Sequence, residues 1–323
     1  MRFETMGRWA PAAEFLEGCH PMSRALVLRP SAKINLTLQV GPRREDGFHD
    51  VRTLMQSIAI SDTLTVSPRP GPFALLSRSP GVPEDRSNLV WRAAELLWRA
   101  IGRTGDPRDA HIRLDKQIPV SAGLGGGSAD AAAALVGLNQ VWEGRRSRRD
   151  LMTMAAGLGS DVPFFLQGGT AIGLGRGDEL FPVDDVLKFG VIVIKPSFGV
   201  ATADAYRWLD EARSQAAGGA EGETSGGARV PEVEVGWSTG PVRLLNDLQE
   251  PVGRRHPAIG EMVAACTREG AVGAAMTGSG SAVFGLFPDS VARRAAARLK
   301  RPDWLVTLTR TLSRREAERR LGL

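Results

Sequence analysis

The segment 119–129 carries the residues most suited to chemistry, because it combines four glycines with a serine that directly follows the last of them. In order, the segment consists of Pro119, Val120, Ser121, Ala122, Gly123, Leu124, Gly125, Gly126, Gly127, Ser128 and Ala129. Glycine permits a positive φ and brings bare backbone N–H groups close to a ligand. Alanine-rich sequence with helical spacing follows, so Ser128 falls where a helix begins. A helix N-terminus with free N–H groups is a site for anions, above all phosphate.

Two common phosphate-binding patterns do not fit the segment 119–129. A P-loop requires a lysine after its last glycine, and none follows here. A dinucleotide-binding fingerprint requires glycine or alanine at position 128, where a serine stands. A flexible glycine turn in front of an ordinary helix is the plain alternative.

Lys33 and Asn35 form a second candidate pair. Around them, Ile34, Leu36 and Leu38 alternate with polar residues, which predicts a half-buried strand. Side chains two positions apart on a strand point to the same face, so Lys33 and Asn35 can enter one cleft together. A solvated polar face explains the same pattern.

Asp161 stands directly before Val162 and Pro163, which predicts an extended or turn position. A carboxylate there can act as a general base, and it can equally serve as the N-cap of a following helix. Phe48 and His49 offer a stacking face and a hydrogen-bonding imidazole, a combination that suits a pyrimidine base. The simpler alternative is that the Phe48 ring only packs against its neighbours and that His49 is an ordinary surface residue.

Several segments, in the order expected, resemble the motifs of the GHMP kinase superfamily, which are small-molecule kinases related to galactokinase, homoserine kinase and mevalonate kinase. The first motif reads Pro-Ser-Ala-Lys-Ile-Asn-Leu from residue 30. The second is the segment 119–129, and the third reads Met-Thr-Gly-Ser-Gly-Ser-Ala from residue 276. The sequence Gly-Ser-Asp-Val-Pro-Phe around Asp161 resembles the segment that carries the family's catalytic aspartate.

One branch of the superfamily is the most similar. The sequence Arg-Glu-Asp-Gly-Phe-His from residue 44 resembles a segment of the kinases that act in the non-mevalonate isoprenoid pathway. The resemblance implies ATP-dependent phosphorylation of the 2-hydroxyl of a diphosphocytidyl-methylerythritol, with Mg²⁺. It implies that Asp161 is the general base, that Lys33 is its charge partner and that Asn35 orients the hydroxyl.

The resemblance also assigns binding residues. The adenine pocket would be lined by Asn88, Leu89 and Lys116, although a helix cap and core packing explain the first two almost as well. Tyr206, the one tyrosine of the chain, matches an aromatic residue that closes the cytosine site opposite Phe48. His49 would bind the base edge, and Thr202 would contact the substrate phosphates.

Composition limits the classes of function. The 323 residues are 42% hydrophobic and 24% charged, as in ordinary soluble proteins, and no apolar run approaches a membrane span. The net charge of +5 comes from arginine-rich tracts that read as solvated helix faces. Two cysteines are too few for a disulfide framework. We therefore expect a cytoplasmic protein, a monomer or weak homodimer, that binds a small-molecule substrate carrying a cytidine diphosphate group and neither nucleic acid nor membrane.

Strands and helices without regular βαβ alternation predict the α+β class. The resemblance implies a two-domain architecture, with an N-terminal domain like domain 2 of ribosomal protein S5, a ferredoxin-like C-terminal domain and the active site in the cleft between them. We expect an extension at 1–24, the two domains at 25–174 and 175–312, a flexible insertion near 215–237, and a tail at 313–323. The proline- and glycine-rich stretch 68–83 predicts an irregular connection.

Three other functions compete with this one. The first is another kinase of the superfamily, of the homoserine or mevalonate type. The substrates of such kinases carry no base for Phe48 and His49 to bind, so these two residues favour the branch named above. A catalytically silent nucleotide-binding sensor would not need Lys33, Asp161 and Ser128 together. A nucleic-acid-binding module would need a basic face studded with aromatic residues, which the sequence does not show.

Overall fold

The computed structural model describes residues 25–185, 188–218 and 244–323. The expected extension at 1–24 therefore lies outside the described residues. Of the expected insertion, residues 215–218 end a helix, and 219–237 lie outside the described residues.

The described part of the chain contains both strands and helices, which are interspersed along the sequence. The strands are β1 (Leu26–Leu28), β2 (Ser31–Arg43), β3 (His49–Ser61), β4 (Thr63–Pro72), β5 (Ala74–Ser77), β6 (Arg108–Asp115), β7 (Thr170–Leu174), β8 (Glu179–Pro182), β9 (Gly190–Pro196), β10 (Leu245–Asn246), β11 (Gly273–Met276), β12 (Val283–Phe287) and β13 (Trp304–Arg310). The helices are α1 (Leu89–Ala100), α2 (Gly126–Val141), α3 (Arg148–Leu158), α4 (Val162–Gln167), α5 (Thr202–Gly218), α6 (Gln249–Arg255), α7 (Ala258–Arg268), α8 (Asp289–Arg298) and α9 (Arg314–Leu321). None of these helices combines the length and the apolar character needed to cross a bilayer.

The N-terminal part forms two sheets. The first has the order β1-β4-β6-β5, and the second has the order β10-β2-β3-β7-β8. The long antiparallel hairpin of β2 and β3 supplies the centre of the second sheet. Strand β8 lies beyond the expected domain boundary at 174/175 and continues this sheet by pairing with β7. Strand β10, which follows the undescribed segment, pairs in parallel with β2.

The stretch 68–83 is the irregular connection that its prolines predict only from residue 78 onward, because most of 68–77 forms strand. Strand β4 runs on to Pro72, and β5 follows at Ala74–Ser77. The pairing of β4 with β6 shifts its register between Pro68 and Pro72, so an irregularity accommodates residues that cannot donate a ladder hydrogen bond.

The C-terminal part forms the antiparallel sheet β11-β12-β9-β13. Its four strands and the helical connections between them follow the order β-α-β-β-α-β, in which α5, α6 and α7 all lie between β9 and β11. This is the split βαβ topology of ferredoxin-like domains, so the expected α+β class and two-domain architecture are confirmed. Strand β9 is buried on both faces. Val191 and Val193 pack into the core of the N-terminal part, and Ile192 and Ile194 pack into the second core.

Helix α2 runs through the middle of the N-terminal part. Every residue from Ala129 to Leu138 is buried, which explains why the sequence there is mostly alanine. Larger side chains would not fit between α1, α4 and β4, against which α2 packs. The helix is therefore held rigidly, and its N-terminus is fixed in space.

The tail is ordered as helix α9. Ser313 accepts a hydrogen bond from the backbone of Glu316, and the Glu316 carboxylate accepts one from the backbone of Ser313, which completes a capping box. The helix packs against α4 and donates and accepts hydrogen bonds at the beginning of the N-terminal part. It therefore belongs to the packed structure rather than to a frayed end.

Candidate active site

A cavity of about 580 Å³ lies where the second sheet, the segment 119–129 and the C-terminal part meet. We call the segment 119–129 the phosphate segment, after the ligand that its sequence predicts. Its lining includes Lys33, Asn35 and Asp161, together with every residue from Pro119 to Ser128. It also includes Asn88, Leu89, Lys116, Thr202 and Tyr206. Ala129, Phe48 and His49 are absent from the lining among the described residues. Ala129 is fully buried in the core under the segment.

The segment 119–125 ends in a left-handed glycine, and α2 begins immediately after it. Gly125 is the N-cap with φ 73°, and no side chain caps this helix end within the described structure. The first N–H groups of a helix have no partner within the helix. They therefore face the cavity together with the positive end of the α2 dipole, as a site for phosphate requires.

A second glycine turn, residues 277–281, packs directly against the phosphate segment. A Cβ on Gly123, whose φ is +74°, would lie 2.1 Å from the carbonyl oxygen of Thr277. The backbone N–H of Ala282 donates to the carbonyl of Ala122 at 3.3 Å. Only glycine permits this close approach of two backbones, which fixes both turns as one unit.

Asn246 holds the second turn from behind. Its Nδ2 donates to the carbonyls of Met276 and Gly278 at 2.8 and 2.9 Å. Its Oδ1 accepts from the backbone of Leu248 at 3.0 Å, so every polar group of this buried side chain is used. Strand β10, which carries Asn246, thereby connects β2 to the turn.

Lys33 and Asn35 lie side by side on β2 and point into the cavity. The Lys33 side chain is buried, and its Nζ donates to Asn35 Oδ1 at 2.6 Å. Nζ also lies 3.5 Å from Oδ2 of Asp161. The alternative of a solvated polar face is wrong, because the C-terminal part covers this face of the sheet.

The orientation of Asn35 is determined by its neighbours. Its Nδ2 donates to Thr53 Oγ1 at 2.8 Å, and its backbone N–H donates to Thr277 Oγ1 at 3.1 Å. The side-chain oxygen of Asn35 therefore faces Lys33, and exchanging it with the amide nitrogen would lose the contacts with both Lys33 and Thr53.

Asp161 does not cap helix α4. It has helical backbone angles, and no side-chain capping hydrogen bond is present at this end of α4. Pro163 follows in the first turn, where a missing N–H costs nothing. The carboxylate is left partly exposed in the cavity beside Lys33.

The residues expected at the cytosine divide into two groups. Tyr206 lines the cavity, and burial, with a smaller effect of the Asp161 charge, raises the pKa of its hydroxyl to about 12. His49 packs against it with ring centroids 5.2 Å apart and contacts Asp210 Oδ1 through Nε2 at 2.9 Å. Phe48 is 56% exposed and lies under the guanidinium of Arg176, 5.6 Å from the ring centroid. His49 therefore contacts Tyr206 directly, and the placement of Phe48 and Tyr206 on opposite sides of a cytosine stays a prediction.

Two further residues expected to bind ligand, Asn88 and Thr202, make hydrogen bonds or close contacts with neighbouring side chains or backbone. Asn88 caps α1 by accepting the N–H of Val90 at 2.9 Å, so the helix-cap explanation holds for this side chain. Thr202, which was expected at the phosphates, lies 3.1 Å from Ser279 Oγ at the rim of the cavity.

Lys116 is enclosed by two carboxylates that the sequence reasoning missed. Its Nζ contacts Asp62 Oδ2 and lies 2.7 Å from Asp130 Oδ2. Burial lowers the pKa of Lys116, but the charges of Asp130 and Asp62 outweigh it, so the pKa is raised. Burial raises the pKa of Asp130 well above its usual range, even though Lys116 acts against it. Asp130 is the one acidic residue in the alanine-rich sequence of α2, and this isolated acid is the sequence feature that could have predicted the cluster.

Asp62 connects this cluster to the phosphate segment. Its Oδ1 accepts the backbone N–H groups of Gln117 and Ile118 at 2.5 and 2.8 Å. These two residues directly precede Pro119, so Asp62 determines where the phosphate segment begins.

The chain matches two family models. GHMP kinases N terminal domain matches residues 88–169, and GHMP kinases C terminal matches residues 239–302. Among solved structures, a 4-(cytidine 5'-diphospho)-2C-methyl-D-erythritol kinase is 34% identical, with a TM-score of 0.67 over 88% of this chain and 99% of that one. Homoserine kinase from Cytophaga hutchinsonii has a TM-score of 0.65 at 17% identity over 92% of this chain and 97% of that one, which shows a shared fold.

Curated relatives cover nearly the whole chain. The 4-diphosphocytidyl-2-C-methyl-D-erythritol kinase of Pelotomaculum thermopropionicum is 44% identical over 88% of this chain and 97% of that protein. The enzyme of the same name from Moorella thermoacetica is 41% identical over 88% of this chain and 99% of that protein. The chain therefore belongs to the GHMP kinase superfamily, and within it to the family of the 4-diphosphocytidyl-2-C-methyl-D-erythritol kinases.

Proposed function

We propose that this kinase transfers the γ-phosphoryl group of ATP to the 2-hydroxyl of 4-diphosphocytidyl-2-C-methyl-D-erythritol. The observation that carries the proposal is the presence of the Lys33–Asp161 pair in the same cavity as the uncapped N-terminus of α2. Phosphoryl transfer requires mainly that the two reactants be held in line and that charge be neutralised. The cavity supplies a phosphate site, a base and a cation for this purpose.

The segment 119–129 binds the ATP phosphates in this account. Its free N–H groups and the α2 dipole offset the phosphate charge, and rigid packing of α2 keeps these donors in place. Asn88, Leu89 and Lys116 line the adenine end of the cavity. Because the Lys116 ammonium is already paired with Asp62 and Asp130, Lys116 acts there through its stem and backbone rather than through a free charge.

Asp161 accepts the proton of the attacking hydroxyl. Lys33, 3.5 Å away, orients the carboxylate and adds positive charge beside the transferring group. The hydrogen bond from Lys33 to Asn35 keeps the ammonium on this side of the cavity. Asn35 in turn orients the hydroxyl, since its own position is held by Thr53 and Thr277.

The cytidine end of the acceptor lies at Tyr206. Its half-buried ring supplies one stacking face, and His49 behind it holds the ring and contacts Asp210. Phe48 lies under Arg176, which lines the cavity, so it stands at the rim where a bound base can cover it. Thr202 and Ser279, at the start of α5 and in the second turn, contact the substrate phosphates.

Mg²⁺ fits a site formed mainly by the phosphate oxygens of the bound ATP. Among the described residues, no group of three or more histidine, cysteine or acidic side chains could hold a metal ion. Mg²⁺ commonly takes one or two protein oxygens and completes its shell with phosphate oxygens and water. The Ser128 hydroxyl, which lines the same cavity, is the protein oxygen that would contact it. When bound, the ion neutralises charge on the phosphates.

We place the enzyme in the cytoplasm as a monomer or weak homodimer, and we divide the chain at the boundaries given above.

The test is ATP consumption by the purified chain with Mg²⁺ and one of three acceptors: the cytidyl substrate, homoserine or mevalonate. Turnover with the cytidyl compound alone is the expected result, and phosphorus NMR of the product should place the new phosphate on the 2-hydroxyl. Turnover with another acceptor would refute the cytidine site. ATP binding without turnover on any acceptor would refute the kinase assignment in favour of a sensor.

A further inference from the structure

A second concave site lies outside the active-site cavity. It has a volume of about 390 Å³ and is lined by Val27, Arg29, Arg310, Glu316, Arg319 and Arg320. It shares no lining residue with the active-site cavity. The residues come from the start of the chain's described part, the end of β13 and helix α9, so the fold brings together arginines that are distant in sequence. We name it the arginine pocket.

The arginine pocket carries an excess of positive charge. Four guanidinium groups face one carboxylate, that of Glu316, which pairs with Arg310 at 2.8 Å. Within the described residues, no acid lies within 4.0 Å of Arg29, Arg319 or Arg320. Three positive charges therefore converge on one concavity without a counter-ion from the protein.

The fold holds these groups together against their mutual repulsion. Arg320 is partly buried, and its Nη1 donates to the carbonyl of Ala59 at 3.2 Å and to Ser61 Oγ at 2.9 Å. Burial, then the charges of Arg310 and Arg29, lower the pKa of its guanidinium, although Glu316 acts against this. The backbone of Arg29 donates to the carbonyl of Arg320 at 2.7 Å, which fixes the spacing of the two chain segments. An anion bound here would relieve the repulsion, and its binding would stabilise the fold.

We propose that the arginine pocket is a binding site for a small soluble diphosphate or polyphosphate anion. Guanidinium groups match phosphate oxygens in paired, charge-assisted hydrogen bonds. Three uncompensated charges match the three or so negative charges of a diphosphate better than the smaller charge of a single phosphate. Arg320 and Arg310 are held in place by protein contacts, so part of the ordering cost of binding is already met by the fold.

The test uses the full chain and inorganic pyrophosphate, with saturating ADP present to occupy the phosphate segment. Isothermal titration should show one pyrophosphate bound per chain. Arg319→Gln should raise the dissociation constant about tenfold, as expected for loss of a charge-assisted contact. The matched control is Arg315→Gln, which removes the same charge one turn earlier on α9 but outside the pocket, and it should change the constant less than about twofold.

Three results would overturn the proposal. The first is the absence of pyrophosphate binding at millimolar concentration in the presence of ADP. The second is an equal loss of affinity in Arg319→Gln and Arg315→Gln, since this would show diffuse attraction to a basic surface. The third is binding to vesicles that contain phosphatidic acid without binding to free pyrophosphate, which would assign the arginines to a lipid surface. Thermal unfolding of each variant without ligand, close to that of the wild type, confirms that the chain is folded in the comparison.

Discussion

Replacing Asp62 by asparagine tests whether the cluster beneath the phosphate segment organises the ATP site. The Asp62 side chain is fully buried and accepts hydrogen bonds on both oxygens, from Lys116 on one side and from the Gln117 and Ile118 backbones on the other. A carboxamide has the same shape but only one acceptor oxygen. One side of the contact therefore becomes a donor facing a donor.

The magnitude follows from the contacts that remain. Removing one partner of a buried ion pair costs about 3–5 kcal/mol, and the lower end applies because Asp130 stays 2.7 Å from Lys116. A loss of about 3 kcal/mol in the free energy of unfolding corresponds to a decrease in Tm of about 4 °C for a chain of 323 residues. Because Gln117 directly precedes the phosphate segment, the KM for ATP should rise more than the KM for the acceptor.

The assay combines thermal unfolding with steady-state kinetics in both substrates. The matched control is Asp115→Asn, whose partner Arg113 lies 3.2 Å away on the exposed side of the same region. An exposed pair contributes less than about 1 kcal/mol, so this variant should stay within about 2 °C of the wild type. If Asp62→Asn loses no more stability than Asp115→Asn and keeps its KM for ATP, the cluster does not organise the site.

Three further predictions concern packing and pH. Gly123→Ala places a Cβ 2.1 Å from the Thr277 carbonyl and should lower kcat at least tenfold in a turnover assay, whereas Gly127→Ala, with open space around its Cβ, should not perturb the backbone and should retain more activity. The pKa of Lys116 in the folded protein is raised above 10.5, so its contribution to stability is complete below pH 10.5 and is lost as the pH rises further. The difference in the free energy of unfolding between the wild type and Lys116→Gln should therefore become smaller above pH 10.5. The hydrogen bond from Arg310 is the largest of the effects that lower the pKa of Glu316 to about 2. The contribution of Glu316 to stability is therefore present above about pH 4.3 and is lost as the pH falls toward 2. Glu316→Gln should make the free energy of unfolding depend less on pH between these two values, and an unchanged dependence would refute this role of Glu316.

The geometry of the proposed phosphate site was predictable from sequence because it is local. Glycines, a following helix and the free N–H groups of that helix all lie within one continuous segment, and the structure confirms that this segment lines the cavity. The pairing of Lys33 with Asn35 also followed from the period of a strand. The burial of that face did not, because it depends on the C-terminal part, whose strands lie more than 150 residues away.

Other features depend on long-range packing and could not be read from the sequence. Asp62 and Asp130 are ordinary acids until the fold encloses Lys116 between them. The contact of His49 with Tyr206 requires α5 to pack beside the β2–β3 hairpin, which no local pattern specifies. The resemblance to the family supplied Asp161, because its residue type and neighbours alone fit a helix cap equally well.

The central claim is that Asp161 is the general base of phosphoryl transfer and that Lys33 supports it. The most direct measurement is single-turnover transfer from ATP to the cytidyl substrate in Asp161→Asn, with ATP affinity measured on the same preparation and Asp303→Asn, an exposed residue of a turn, as the control. We expect a rate at least a hundredfold lower in Asp161→Asn, with ATP affinity within about threefold of the wild type and with Asp303→Asn unchanged. Transfer at a near wild-type rate in a folded, ATP-binding Asp161→Asn protein would contradict it.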